Sequence, residues 1–254
     1  MGLFKKIIKR NSTGEKDSSS CRKNTQIESY VSLSTALDGC VCPMCTQFEG
    51  KYFKRSEAPK LPLCPSCRCA YMFYFGKEQL PKNAVISTKD DFIFPAKCVA
   101  KFQKIQEMIY AERDTKKCLQ LCEKGLNLLP ELMAPYLKGG FPAPQELACR
   151  DIALDLYLRL GDWDNALRII QICISANAYY PKSGEEQLLY LRKYSETADA
   201  AIVYISENPG VAQKSIYNKL CPPLDREVLK KFIRTSHQIR KEPFGNTNKL
   251  YVEH

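Results

Sequence analysis

Two cysteine pairs, Cys42-Pro43-Met44-Cys45 and Cys64-Pro65-Ser66-Cys67, stand 18 residues apart and constrain this chain more than any other feature. A C-x2-C turn lets two thiolates face one ion, and two such turns supply the four soft ligands of a tetrahedral zinc site. The 18-residue spacer is long enough for a hairpin that returns the second turn beside the first. Cys40 and Cys69 extend the cluster to six cysteines within residues 40–69. The expected ligands are Cys42, Cys45, Cys64 and Cys67, with Cys69 or Cys40 as alternates and Cys69 the better placed of the two. Thr46 and Arg68 follow the turns, where iron–thiolate sites usually carry glycine, and this favours Zn2+. The segment has no histidine and too few ligands for a cross-braced two-zinc fold. A site closed by four thiolates is structural, because catalytic zinc keeps a water-bearing position.

The cysteine count supports metal over disulfides. The 13 cysteines of the 254-residue chain are an odd number, so they cannot all pair within it. The first ten residues carry Lys5, Lys6, Lys9 and Arg10 with no apolar stretch behind them, unlike a secretory leader. The longest apolar run, Cys69 to Phe75, is seven residues, against about 20 for a membrane span. The expectation is a cytoplasmic protein whose clustered thiols stay reduced. Residues 1–35 are polar and read as a disordered basic arm. Lys6 stands where a myristoylation signal needs Ser or Thr, so the arm reads as a solvated tail and not a membrane contact. The net charge of +10 divides as +4 over residues 1–35, +3 over 36–97, +1 over 98–195 and +2 over 196–254. The basic ends suit a polyanion and the near-neutral middle suits packing.

Within the segment 36–76, the stretch from Asp38 to Cys69 resembles the zinc-knuckle module of Mu-type phage head-morphogenesis proteins. The matching residues are Cys42, Cys45, Gly50-Lys51, Phe53, Pro62-Leu63, Pro65, Cys67, Arg68 and Cys69. The family usually has His where this chain has Cys64, a swap that keeps a zinc ligand in place. The resemblance implies a metal-bound module and covers no more of the chain than that.

Residues 96–194 read as helices. Apolar stripes run through Lys97–Ala111, Thr115–Leu129, Gln145–Leu160 and Asn165–Ala176, with a tight turn at Gly161-Asp162-Trp163-Asp164. The last pair resembles a tetratricopeptide repeat at Tyr157, Gly161, Trp163, Ala166, Ile170 and Pro181, with a weaker copy over Cys118, Cys122, Gly125 and Pro130. Such repeats imply a protein partner for this helical middle. Cys118, Cys122, Cys149 and Cys173 fall on the apolar stripes and read as small core residues.

Residues 195–254 read as three helices and a hairpin: Thr197–Ser206, Val211–Leu220, a third capped by Asp225, then strands around Gly245-Asn246-Thr247-Asn248. With the phrase Asn208-Pro209-Gly210-Val211-Ala212-Gln213-Lys214, this order resembles a winged helix-turn-helix domain. The resemblance implies DNA as a partner, with the third helix in the major groove. Lys230, Lys231 and Arg234 would meet phosphates from that helix, and Arg240, Lys241, Asn246, Asn248 and Lys249 from the wing. Thr235, Ser236 and His237 are the candidates for base edges.

No catalytic constellation is legible. The only histidines are His237 and His254, and no phosphate-binding glycine loop or H-E-x-x-H helix occurs. The expected fold class is mainly α and multi-domain, with a small zinc ribbon or knuckle, a tetratricopeptide-like helical middle and a C-terminal winged helix. The expected function is a zinc-stabilised, non-enzymatic DNA-binding regulator or adaptor. The alternative is a protein-interaction scaffold, phage-related and without nucleic-acid binding.

Overall fold

The computed structural model of the chain describes residues 28–35, 42–65, 67–180 and 182–253. Most of the basic arm, Cys21, Cys40 and His254 therefore lie outside the described residues. The described part is mainly helical, with two small three-stranded sheets. No described helix is long and apolar enough to cross a membrane.

The first sheet frames the cysteine turns. Strand β1 (Ser29–Ser34) is its centre, flanked by β2 (Tyr52–Lys54) and β3 (Ala70–Phe75), both antiparallel to it. Val31 pairs with Phe53 on one side and Phe73 on the other. The spacer between the turns is thus not a hairpin. It carries the single strand β2, whose partner lies upstream of the first turn, in residues expected to belong to the mobile arm. Tyr30, Val31, Ser32 and Leu33 are buried, so apolar and aromatic burial on both faces outweighs the polar composition around them. Helix α1 (Pro43–Thr46) holds the first turn, with Pro43 at its first position, where no N–H is needed. Residues 77–97, which carry no periodic signal, form two short 3-10 turns and then send Phe92 and Phe94 onto Phe48 at ring separations of 5.1 and 5.9 Å.

Helices α2 (Val99–Ala111), α3 (Thr115–Leu126), α4 (Leu129–Gly139), α5 (Ala148–Leu160) and α6 (Trp163–Ser175) follow. Asp114 and Asp162 cap α3 and α6, their carboxylates accepting the N–H of Lys117 and Asn165. Pro130 was expected to end a helix and instead stands in the first turn of α4, a position that suits its fixed φ. The residues after Pro130 therefore form a further helix between the two expected over 115–129 and 145–160. Val31, Met44, Phe48, Phe53 and Leu63 of the sheet region share one buried cluster with Phe102, Leu126, Leu132 and Cys149 of the helices.

A second cluster joins α5 and α6 to the C-terminal part. Helix α7 runs unbroken from Ser183 to Glu207, not from Thr197, and so crosses the expected boundary at 194/195. Its Tyr194 is wholly buried, 5.9 Å from the Trp163 ring and 6.0 Å from the Phe232 ring. After α7 come β4 (Val211–Ala212), α8 (Gln213–Leu220), α9 (Arg226–Thr235), β5 (Ile239–Phe244) and β6 (Thr247–Val252). Asp225 caps α9 as expected, accepting the N–H of Glu227 and Val228. The second sheet has the order β4-β6-β5, all antiparallel.

Candidate functional site

The cysteine turns meet as the sequence spacing implies. The sulfurs of Cys42, Cys45 and Cys64 lie within 4.8 Å of one another, as do those of Cys45, Cys67 and Cys69. Cys45 belongs to both groups, and its Sγ is 3.5 Å from that of Cys64, far beyond the ~2.05 Å of a disulfide bond. Each turn is closed by its own backbone. The Cys45 N–H donates to the Cys42 carbonyl at 2.8 Å and the Cys67 N–H to the Cys64 carbonyl at 3.1 Å. Cys45 and Cys64 are buried, while Cys42, Cys67 and Cys69 are partly so. These five cysteines are placed to hold a metal ion.

The electrostatics fit that use. Hydrogen bonds from Cys45 and then Cys64 pull the Cys42 thiol down to about 3, and the same two donors lower Cys67. Cys45 and Cys64 are pushed up, chiefly by their bonds to Cys42. Burial, then the charge on Cys67, raises Cys69 to about 11. Thiolates this close repel one another, and a cation among them would offset that repulsion.

One participant was not legible in the sequence. Tyr136, on α4, is buried with its hydroxyl 3.5 Å from Cys42 Sγ. Burial and then the Cys42 charge raise its pKa, so the phenol keeps its proton and can donate it to a thiolate. Nothing in the spacing of Tyr136, 94 residues downstream of Cys42, signals this contact. Gln47 makes a second tie from the first turn, donating to the Ile93 carbonyl at 2.7 Å and accepting the Ile93 N–H at 3.1 Å. Cys118, Cys122, Cys149 and Cys173 are buried in the helical core, and none of them joins a metal-sized group among the described residues.

The second candidate lies at the other end of the molecule. Lys230, Lys231, Arg234 and Lys241 line a groove of about 340 Å³ between α8, α9 and β5, with Gln213, Tyr217 and Asn248 on its wall and Glu227 as its one carboxylate. On α9 the residues Val228, Leu229, Phe232 and Ile233 face inward, which leaves positions 230, 231 and 234 outside. Lys230 pairs with Glu227 at 2.6 Å. The Lys231 ammonium lies 5.1 Å from the centre of the Tyr190 ring. Lys241 donates to the Arg234 carbonyl at 2.8 Å, and partial burial lowers its pKa. Gln213 donates to the Tyr217 hydroxyl at 2.6 Å and accepts from Asn248 at 3.1 Å.

The other expected contacts lie elsewhere. Successive residues of a strand face opposite sides, so Arg240 turns away from Lys241. It pairs with Glu242 and stacks over Tyr251 at 4.5 Å. Lys249 covers the Phe244 ring at 4.3 Å, and Asn246 is exposed at the hairpin tip. Of the base-edge candidates, Ser236 is buried and accepts the Gln238 N–H, and Thr235 donates to the Lys231 carbonyl. Both hydroxyls are engaged within the fold, and neither lines the groove. His237 is exposed and lies outside the groove, with its backbone N–H donating to the Arg159 carbonyl of α5 at 2.9 Å.

No protein-family model, curated protein or solved structure matches the chain.

Proposed function

We propose that this chain is a zinc-stabilised, non-enzymatic nucleic-acid-binding regulator or adaptor. The observation that carries the binding role is the groove on α9, where four cations face one carboxylate. Cations held at this density neutralise successive phosphates and release their counterions. The order α7-β4-α8-α9-β5-β6, with β6 between β4 and β5, supports a winged-helix reading in which α9 is the element presented to duplex DNA. In that reading Lys230, Lys231, Arg234 and Lys241 contact phosphates from the groove, while Asn246 and Lys249 contact them from the hairpin. The α5–α6 pair, with Trp163 and Gly161 at their turn, supports repeat-like packing and a protein partner for the helical middle.

Zinc is the proposed metal because the donor set is all thiolate, with Cys45 and Cys64 buried and the others partly so, and because closure by four sulfurs leaves no position for catalysis. Cys42, Cys45, Cys64 and Cys67 are the proposed ligands and Cys69 the alternate. Bound there, the ion would supply folding energy to the β1–β3 region. The likeness of Asp38–Cys69 to the phage module supports the metal alone and is not extended to capsid assembly.

The test of the binding role is affinity for an arbitrary duplex at low salt. Binding that weakens as salt rises is expected, and absence of binding removes the reading. A scaffold role without nucleic acid is the second reading, favoured by Met72, Phe73 and Phe75, which are about half exposed on the edge strand β3. It is the reading left standing if duplex binding fails.

A further inference from the structure

Across Lys231 from the basic groove lies a larger cleft of about 620 Å³, and Lys231 lines both. Its walls come from α5, from the segment leading into α7, from α7 itself and from α9. Three tyrosines, Tyr179, Tyr180 and Tyr190, bring aromatic rings to it. Tyr180 is 47% exposed, the only one of the three with so much of its surface open to solvent. The Tyr179 ring is held under the Arg150 guanidinium at 5.0 Å, and its hydroxyl is buried without a hydrogen-bond partner.

The charge of this cleft is nearly balanced. Asp151 is paired with Arg150 at 2.7 Å and Asp155 with Arg159 at 2.6 Å. Lys231, over the Tyr190 ring, has no carboxylate partner among the described residues. A ligand suited to these walls has a flat π-face for the tyrosines, polar edges for an unsatisfied hydroxyl, and an anionic tether reaching Lys231. Its volume falls in the range of small-ligand pockets. An acidic peptide without aromatic side chains satisfies the last two conditions but not the first. A nucleotide satisfies all three.

We infer that this cleft receives an unpaired base, so that the ligand class is nucleic acid with a single-stranded segment beside a duplex. This rests on the proposed binding role of the groove. The duplex phosphates lie along Lys230, Lys231, Arg234 and Lys241, the strand turns past Lys231, and the first unpaired base stacks on Tyr180. Stacking of one base on an aromatic side chain strengthens binding by roughly five- to 150-fold.

The experiment uses the full chain and two DNAs at low salt, a blunt duplex and the same duplex with a three-nucleotide tail carrying 2-aminopurine. The tailed form is expected to bind at least about fivefold more tightly, with a change in 2-aminopurine fluorescence on binding. Tyr180→Ala, a change at an exposed ring, should abolish both the preference and the fluorescence change and leave blunt-duplex affinity unaltered. Equal affinity for the two DNAs, or a tail preference untouched by Tyr180→Ala, overturns the assignment of the cleft while the groove keeps its role. Binding of neither DNA overturns the nucleic-acid reading, and this inference falls with it.

Discussion

Removal of two cations from the groove should change how binding responds to salt by an amount the structure sets. Lys230, Lys231, Arg234 and Lys241 converge there, so about four phosphates are neutralised and the log–log slope of affinity against salt is about −3.6. Between 50 and 200 mM salt, affinity then falls about 150-fold. Lys230 must leave Glu227 to take part, but an exposed pair of this kind costs only about 0–1 kcal/mol to break. The double change Arg234→Ala with Lys241→Ala leaves about two phosphate contacts, a slope of about −1.8 and a fall of about 12-fold over the same range. Both residues are exposed, so far-ultraviolet circular dichroism should not change. Arg240→Ala is the internal control, because Arg240 stands on the opposite side of β5 from Lys241 and should leave the slope alone. Fluorescence anisotropy of a labelled duplex at five or six salt concentrations measures each slope. A slope unaffected by the double substitution, or one moved equally by Arg240→Ala, refutes the placement of the phosphates.

Other expectations concern the frame that holds the groove and the metal turns. Phe232→Ala empties a wholly buried site against Tyr194 and should lower stability by about 3–5 kcal/mol; a loss under about 1 kcal/mol in urea unfolding contradicts the packing described. Asp225 is held down to about 2 from its ordinary 3.8 by Lys193 first, 2.6 Å away, and then by the amides of Val228 and Glu227. A depressed carboxyl pKa stabilises the fold above its ordinary value and loses that contribution as pH falls through the lowered one. Unfolding midpoints should therefore fall between about pH 4 and pH 2, and Asp225→Asn should flatten that part of the profile; an unchanged profile removes the cap and ion pair from the account. Gly161→Ala should destabilise by about 1–2 kcal/mol, because φ there is +73°, in the left-handed region; thermal melting of the variant decides this.

Local chemistry was legible in the sequence and long-range packing was not. The C-x2-C turns, the aspartates capping α3, α6 and α9, and the hairpin around Gly245 are each determined by a few adjacent residues, and each is found where the pattern places it. Strand β1 escaped notice because it lies within a polar stretch, and its burial comes from β2 and β3, which lie far along the chain. The full length of α7 escaped because only Leu191 and Tyr194 are buried apolar side chains in its first half, against Ala198, Ala201 and Ile205 in its second. In the candidate sites, charge and thiol content were readable residue by residue. The face each residue takes was not, since Arg240 and Lys241 separate only through the alternation of β5. The Tyr136–Cys42 contact depends on α4 lying against the first cysteine turn, and no local pattern encodes that.

The sulfurs gathered around Cys45 are proposed to hold a structural zinc. A structural zinc contributes about 10–16 kcal/mol of apparent binding energy, comparable with the whole stability of a domain at about 5–15 kcal/mol. Cys45 is the residue common to both thiol groups, so its loss removes a sulfur from each. The direct measurement is metal content by plasma mass spectrometry on protein purified without chelator, alongside Cys45→Ser. About one zinc per chain is expected in the native protein and almost none in the variant. A native protein without zinc, or a Cys45→Ser variant that retains it in full, contradicts the account.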